Sequence, residues 1–574
     1  MSKKQIPYGI SNYKTLIREG YAYIDKTMYI PSLELAGHYT VFLRPYRFGK
    51  TLFTSMLGYY YDISEKDNFD LLFSSTDIGR NPTKKKNAYY VLKFDFSGIK
   101  TDSYEIMEDS FTRNIYDALL AFCVRYQLDI TPEMNRPSIQ LLRFFTDFRI
   151  KCNGKIYVII DDYDIFAHQL LSSEPSAFKD IASRDGFVRT WYGILKEGTE
   201  TILDRIFITG TSPITLDRVR SDFNISLDLS MRGKLHEMIG FTKTEIETLI
   251  QETIPEGLPF ALMDTLYNGY CFSEDGKDRV FNSDMVLYYL YYYQQEHTSP
   301  NTLLDHNAAS DFEKLKKLTL FENQSQNMEV LKKIVDDGYT TSSLREYYYD
   351  LDRYFGTGHF KALLFYLGFL TIKERYRSSL IFEIPNAAMT GLYLDFLMET
   401  MSTETNYNPD IEQITKAMHE LAYENSCEKL VTLIEGLLHS IANQDNIQFD
   451  EKYIKIAMAA YAKISKLYII KPEYEAEKKS VDLILFPRDN ASELDILLFE
   501  LRYITKEDIP GPVSANSCLR TGTDGRLIVA KLYEAMDQLK EYSSAKEFTG
   551  KKIACWAIVF VGDKCVERVI RGCH

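Results

Sequence analysis

Three consecutive residues, Gly49-Lys50-Thr51, have the types and order that grip a polyphosphate. At a strand-to-helix turn, successive backbone N–H groups wrap phosphate oxygens, a lysine ammonium reaches the β- and γ-phosphates, and a threonine hydroxyl binds Mg²⁺. Arg47 and Phe48 precede them, and Arg44 stands where the pattern G-x-x-x-x-G-K-[ST] has its first glycine. A second group, Tyr157-Val-Ile-Ile-Asp161-Asp162, is an apolar run that ends in paired carboxylates. On a strand end beside the phosphate loop, Asp161 would hold Mg²⁺, directly or through water, and Asp162 would orient the attacking water as general base. A third run, Arg205-Ile-Phe-Ile-Thr209-Gly-Thr-Ser, ends in hydroxyls, and Thr209 is expected to sense the γ-phosphate. The expected ligands are therefore ATP and Mg²⁺. Arg47, Phe48, Gly49, Lys50, Thr51 and Thr209 would bind the nucleotide, Thr51 and Asp161 the metal, and Asp162 would be the catalytic base.

A second constellation lies near the C-terminus. Val481-Asp482-Leu-Ile-Leu-Phe is followed by Leu497-Leu-Phe-Glu500-Leu501-Arg502. Two carboxylates on neighbouring strands can hold Mg²⁺ while a cation beside them positions water or stabilises a phosphorane. Asp482 and Glu500 are the metal-ligand candidates, and Glu500 and Arg502 the catalytic ones. Glu451 lies on the preceding helix and Gln538 on the following one, where the nuclease superfamily that this stretch resembles often has supporting polar residues. Arg502 is a broad, permanently charged fork and not a compact ammonium, which sets it apart from a lysine in this role.

The elements that would position these residues follow from hydrophobic patterning. Apolar runs at Tyr39–Leu43, Tyr89–Phe96, Ile156–Ile160 and Ile206–Ile208 predict buried strands. Amphipathic stretches between them, Glu105–Tyr126 and Ser138–Lys151, predict helices covering a parallel sheet. From about Thr242 the pattern becomes helical (Lys243–Glu252, Asp284–Tyr293, Met328–Asp337, His359–Phe369), and Glu399–Asp410 reads as a linker. A helical pair, Ile411–Asn443, precedes a third pattern. It reads as helix Glu451–Lys466, strands Tyr468–Glu473, Val481–Phe486 and Asp495–Leu501, helix Gly525–Tyr542 and strand Lys552–Val561.

At 574 residues the chain exceeds what one core supports, roughly 250 to 300 residues. Its 45% apolar and 26% charged residues are ordinary globular composition, whereas 42 Tyr and 34 Phe are a heavy aromatic load to bury. The net charge of −14 opposes nonspecific attraction to nucleic acid, so DNA or RNA binding would need a local basic groove. Eight Cys without a CxxC pair argue against a zinc ribbon and a disulfide framework. The absence of an apolar leader or bilayer-length run predicts a cytoplasmic protein with no membrane partner. Tyr291-Tyr-Tyr and Tyr347-Tyr-Tyr could stack bases but fit core packing better, and Cys123, Cys271 and Cys555 read as core thiols.

The chain resembles a bacterial AAA-ATPase-like family that is commonly fused to a PD-(D/E)XK nuclease-superfamily domain. The residues that carry the resemblance are Pro7-Tyr-Gly9-Ile10, Tyr23-Ile-Asp25-Lys26-Thr27, Arg44-Pro-Tyr-Arg47-Phe-Gly49-Lys50-Thr51 and Ile160-Asp161-Asp162-Tyr163-Asp164. It continues through Thr209-Gly210, Asn224, Tyr267-Asn268-Gly269-Tyr270, Phe365–Thr371 and Ile384-Pro385-Asn386. The resemblance makes the missing first glycine normal, and places Tyr46 where the family has arginine, Asp162 where it usually has Glu, and Arg502 where it has Lys. It implies a P-loop NTPase sheet with helices on both faces (1–241), a helical lid (242–400) and a PD-(D/E)XK-like α/β domain (401–574). The expected function is a slow ATPase whose nucleotide state controls a C-terminal domain acting on nucleic acid. The alternative is a nucleotide-gated interaction protein in which neither site turns over. Arg47 would touch phosphate, or a neighbour's nucleotide in a homo-oligomer.

Overall fold

The computed structural model describes residues 3–573 except 167–185, 214–222, 276, 301, 305–307, 321–322, 343–356, 406, 443–450, 477–478, 489–492 and 510–522. The cluster Tyr347–Tyr349 lies outside the described residues.

The front of the chain builds a five-stranded parallel sheet from β1 (Tyr39–Leu43), β2 (Tyr90–Asp95), β3 (Ile156–Asp161), β4 (Leu203–Gly210) and β5 (Leu227–Asp228), in the spatial order β2-β3-β4-β1-β5. Numbering helices of eight residues or more, α1 (Lys50–Tyr61), α2 (Tyr104–Arg125), α3 (Pro137–Lys151) and α4 (Phe187–Gly198) flank it. β3 is buried at all six positions, as a central strand covered on both faces must be. The aromatic load finds its place here: Trp191 of α4 meets Phe94, Phe96 and Phe111 edge-on, with ring centroids 5.1–5.6 Å apart.

The middle region holds α5 (Lys243–Thr253), α6 (Phe260–Tyr267), α7 (Ser283–Glu296), α8 (Ala308–Leu320), α9 (Gln324–Asp337), α10 (Thr357–Tyr366) and α11 (Ala387–Thr405). It is not purely helical. β6 (Tyr339–Ser342), β7 (Thr371–Tyr376) and β8 (Ser379–Glu383) form an antiparallel sheet in the order β6-β8-β7, with a turn at Arg377 in the left-handed region (φ 55°). The linker expected at Glu399–Asp410 is also revised, since α11 runs through Thr405. Met401 is buried there, and the hydroxyls of Thr400, Thr403 and Thr405 donate to carbonyls four residues back, so a polar run stays helical.

After α12 (Ile411–Glu424) and α13 (Glu428–Ala442) comes α14 (Glu451–Ile464), then a mixed sheet in the order β13-β12-β11-β10-β9. Its strands are β9 (Tyr468–Ala476), β10 (Lys479–Pro487), β11 (Ile496–Ile504), β12 (Ile553–Val561) and β13 (Lys564–Cys573). Only β11 and β12 pair in parallel, through a crossover that contains α15 (Thr523–Ser543). Both faces of β12 are buried. Ala554, Trp556, Ile558 and Phe560 join a core that runs unbroken back to Ile6, while Ile553, Cys555, Ala557, Val559 and Val561 pack into a separate core with α15. Among the described residues no helix is long and apolar enough to cross a membrane.

Candidate functional site

The turn between β1 and α1 presents the phosphate-loop residues. Gly49 is the N-cap of α1 at φ 97°, a left-handed conformation that a Cβ-bearing residue adopts only under strain. Lys50 is buried, and its ammonium donates to the carbonyls of Arg44 (3.1 Å) and Pro45 (3.0 Å), so it is folded back over the loop. A phosphate entering the loop would replace these carbonyls with stronger, charged acceptors.

Arg44 shows why the missing first glycine is tolerated. Its guanidinium lies between the rings of Phe42 (4.2 Å) and Phe272 (4.4 Å) and donates to the carbonyls of Leu43, Ser230 and His236. Burial pulls its pKa down to about 9, which leaves it charged at neutral pH. It anchors the start of the loop from below. From above, Phe48 packs edge-on against Tyr270 (4.9 Å) and Phe272 (5.3 Å). The N-terminus of α7 closes the clamp: Asn282 donates to Tyr46 O, Ser283 to Phe48 O and the Asp284 amide to Arg47 O.

The loop opens onto a cavity of about 510 Å³ lined by Arg47, Phe48, Gly49, Lys50, Thr51 and Asp162. The N-terminal segment at Gly9 and Ile10, the Ile239–Phe241 turn and Lys314 of α8 complete its walls. Lys26 pins these walls together by donating to Glu245 (2.7 Å) and to the carbonyl of Glu237 (2.8 Å). The ammonium of Lys314 rests 3.7 Å from the centroid of the Tyr46 ring, and that of Lys50 lies 5.3 Å from the same centroid.

Asp161 ends β3 fully buried. Its Oδ2 accepts from the Thr54 hydroxyl (2.9 Å) and lies 3.6 Å from Lys93 Nζ, while Oδ1 is buried with no hydrogen-bond partner. An orphaned carboxylate oxygen is costly, and a Mg²⁺ ion or its water would satisfy it, which fits Asp161 to that ion, whereas Thr51 and Asp162 line the cavity and Asp161 lies behind its wall. Asp162 follows at φ 48°, and burial raises its pKa to about 6 against the pull of Lys50. The turn that holds it is locked: the Asp164 carboxylate accepts from the amides of Thr211 (3.0 Å) and Ser212 (2.6 Å), and the Tyr163 hydroxyl donates to Ser212 O. Thr209 departs from expectation. Its hydroxyl is buried and donates to Phe42 O (2.8 Å), which spends it on the β1–β4 seam and keeps it off the cavity wall.

At the other site Asp482 and Glu500 come together on adjacent strands, with Arg502 between them. Arg502 Nη1 lies 3.0 Å from Glu500 Oε2 and 3.5 Å from Asp482 Oδ2, and Nη2 donates to Gln538. Burial and the nearby Asp482 charge push Glu500 up to about 9. Glu451 accepts from the Tyr503 amide (3.3 Å), and burial with Asp482 raises it to about 7. The metal expected at Asp482 and Glu500 meets an obstacle, because the chain's own guanidinium fills the space the carboxylates share. Sequence reasoning missed two participants. Lys455, one turn beyond Glu451 on α14, lies 3.5 Å from Asp482 Oδ1, and Asp336 of α9 bridges Lys455 and Lys452 at 3.1 Å each. The i, i+4 spacing of Glu451 and Lys455 was the only signal for the lysine, and none pointed to Asp336.

Residues 7–220 match the family model of AAA-ATPase-like proteins, described as a predicted AAA-ATPase, and residues 449–569 match that of the PD-(D/E)XK nuclease superfamily. A protein of Azotobacter chroococcum mcd 1, described as an uncharacterized protein in the vnfD 5' region, is 26% identical over 273 residues, 47% of this chain and 49% of that one. The chain thus spans about half the length of the curated relative it matches.

Proposed function

From a chain that carries an AAA-ATPase-like segment and a PD-(D/E)XK superfamily segment, we propose a Mg²⁺-dependent ATP-binding protein and slow ATPase. Its nucleotide state would control a C-terminal domain that acts on or binds nucleic acid. The observation that carries the first part is the cavity lined by residues 46–51 and Asp162, where a buried lysine is held by two loop carbonyls.

In this reading the loop amides and Lys50 hold the phosphates, Thr51 and Asp161 hold Mg²⁺, and Asp162 orients the attacking water. Bound Mg²⁺ neutralises charge developing on the phosphoryl oxygens. Lys50 also keeps Asp162 from being more basic than its burial would make it, so the carboxylate is largely ionised at neutral pH and able to accept a proton. Arg47 lines the cavity and would contact phosphate, or serve a neighbouring copy in a homo-oligomer. The divisions 1–241, 242–400 and 401–574 and a cytoplasmic location belong to the same proposal.

Control of the C-terminal domain is supported by one short segment that packs on the phosphate loop and lines the cleft onto which the C-terminal residues open. Tyr270 and Phe272 pack on Phe48 of the loop, while Asn268 and Gly269 line a cleft of about 850 Å³ whose far wall includes Glu451, Lys455 and Asp482. The position of Arg502 favours the alternative of binding without turnover at that far site.

Calorimetric titration with ATP and Mg²⁺ tests the front half. Wild-type protein is expected to give a saturable heat, and Lys50→Ala to weaken binding by at least about 100-fold, roughly 2.7 kcal/mol. No heat from the wild-type chain would remove the proposal.

A further inference from the structure

A hydrolytic carboxylate pair works by holding a divalent ion, which needs oxygen ligands at about 2.1 Å in a near-octahedral shell. Here that shell is already taken. Arg502 Nη1 sits 3.0 Å from Glu500 and 3.5 Å from Asp482, and is itself fixed by donating to Leu501 O at 2.6 Å. Asp482 Oδ2 accepts from the Leu501 amide (2.8 Å), and its Oδ1 faces the ammonium of Lys455 at 3.5 Å. Asp482 and Glu500 therefore face two cations supplied by the chain, and Asp336 holds Lys455 from its other side. The side chain of Lys455 is only 5% exposed and that of Arg502 11%, so both cations are held inside the cluster. An incoming divalent ion would meet them at close range in a medium that screens poorly. Arginine remains protonated throughout the accessible pH range, so titration does not vacate the position.

We infer that the guanidinium of Arg502, with the ammonium of Lys455, replaces the divalent cation at Asp482 and Glu500, so that the C-terminal domain is a metal-independent binding unit. This rests on the proposed reading of the C-terminal domain and decides between its two forms: recognition of a ligand without cleavage of a phosphodiester. The Arg502 fork also ties β11 to α15 through Gln538.

Mn²⁺ binding to the nucleotide-free full chain, followed by the paramagnetic resonance signal of free Mn²⁺, tests this. An Asp161→Asn background silences the front site. In it, adding Asp482→Asn is expected to leave bound Mn²⁺ unchanged, whereas Arg502→Gln creates about one new site per chain that Asp482→Asn abolishes. A Mn²⁺ site in the background protein that Asp482→Asn removes would overturn the inference. So would a folded Arg502→Gln protein that gains no site, since the guanidinium would then not be what fills the position. If Arg502→Gln does not fold, the comparison of the background with Asp482→Asn decides alone. None of these readouts depends on ATP, so failure of the calorimetric titration would leave this result standing, and the reverse holds too.

Discussion

At the scale of single residues, the phosphate loop is set by backbone geometry at one position and by a buried charge at another. Gly49 at φ 97° accommodates the turn into α1, and Gly49→Ala forces a side chain into the left-handed region at a cost of about 1–2 kcal/mol. The strain falls in the loop, so calorimetry is expected to show weaker ATP binding while the overall fold survives. Arg44 is different in kind. Arg44→Ala leaves the buried carbonyls of Ser230 and His236 without a donor and opens space between Phe42 and Phe272, which should destabilise the protein by roughly 3 kcal/mol or more in denaturant titration. Arg44→Lys should rescue little of this, because one ammonium cannot reproduce the planar fork stacked on two rings.

At the scale of elements, the loop is held by a helix from a different region of the chain. Asn282 caps α7 by accepting from the amides of Asp284 and Met285, and its side-chain amide donates to Tyr46 O. Asn282→Ala is expected to cost about 1 kcal/mol of stability as a lost cap. Its effect on ATP affinity should be larger than that of an equally destabilising cap deletion at Thr242 of α5, since only Asn282 also holds the loop. Equal effects on affinity would show that α7 merely packs beside the site.

At the scale of the whole molecule, cooperativity follows from a core shared between regions. One face of the C-terminal sheet, through Leu483, Phe499, Trp556 and Phe560, belongs to the same hydrophobic cluster as β1 and α11. A fragment comprising residues 449–574 would expose that face, so it is expected to aggregate or remain unfolded. Its circular dichroism, compared with that of the full chain, checks this. Acid sensitivity is also built in. His236 is buried beside Arg44, and burial lowers its pKa to about 3, so between that value and its unfolded value near 6.5 the unfolded state binds more protons. Stability is therefore full above about pH 6.5 and falls as pH drops, by about 2 kcal/mol between roughly pH 7.5 and pH 5 for this residue. His236→Phe should flatten that part of the stability profile.

Strand and helix positions around the phosphate loop were legible because local signals there agree: an apolar run long enough for a buried strand, then Gly-Lys-Thr, then helical spacing. The paired carboxylates after Ile160 and the strand positions of Asp482 and Glu500 were legible for the same reason. The small sheet β6-β8-β7 was not, since its strands are short and half polar, and β6 pairs with β8 from beyond α10. Thr209 was misjudged because a hydroxyl at a strand end reads identically whether it faces a cavity or a neighbouring carbonyl. The sequence alone determined the chemistry on offer: which residues can grip phosphate, which can hold a metal, and that a guanidinium stands at position 502. Tertiary structure alone decided what those groups face. The clamp of α7 on the loop, the burial of Arg44 between two rings and the meeting of Asp336 with Lys455 all join segments distant in sequence, where patterning over a few turns carries no information about contact.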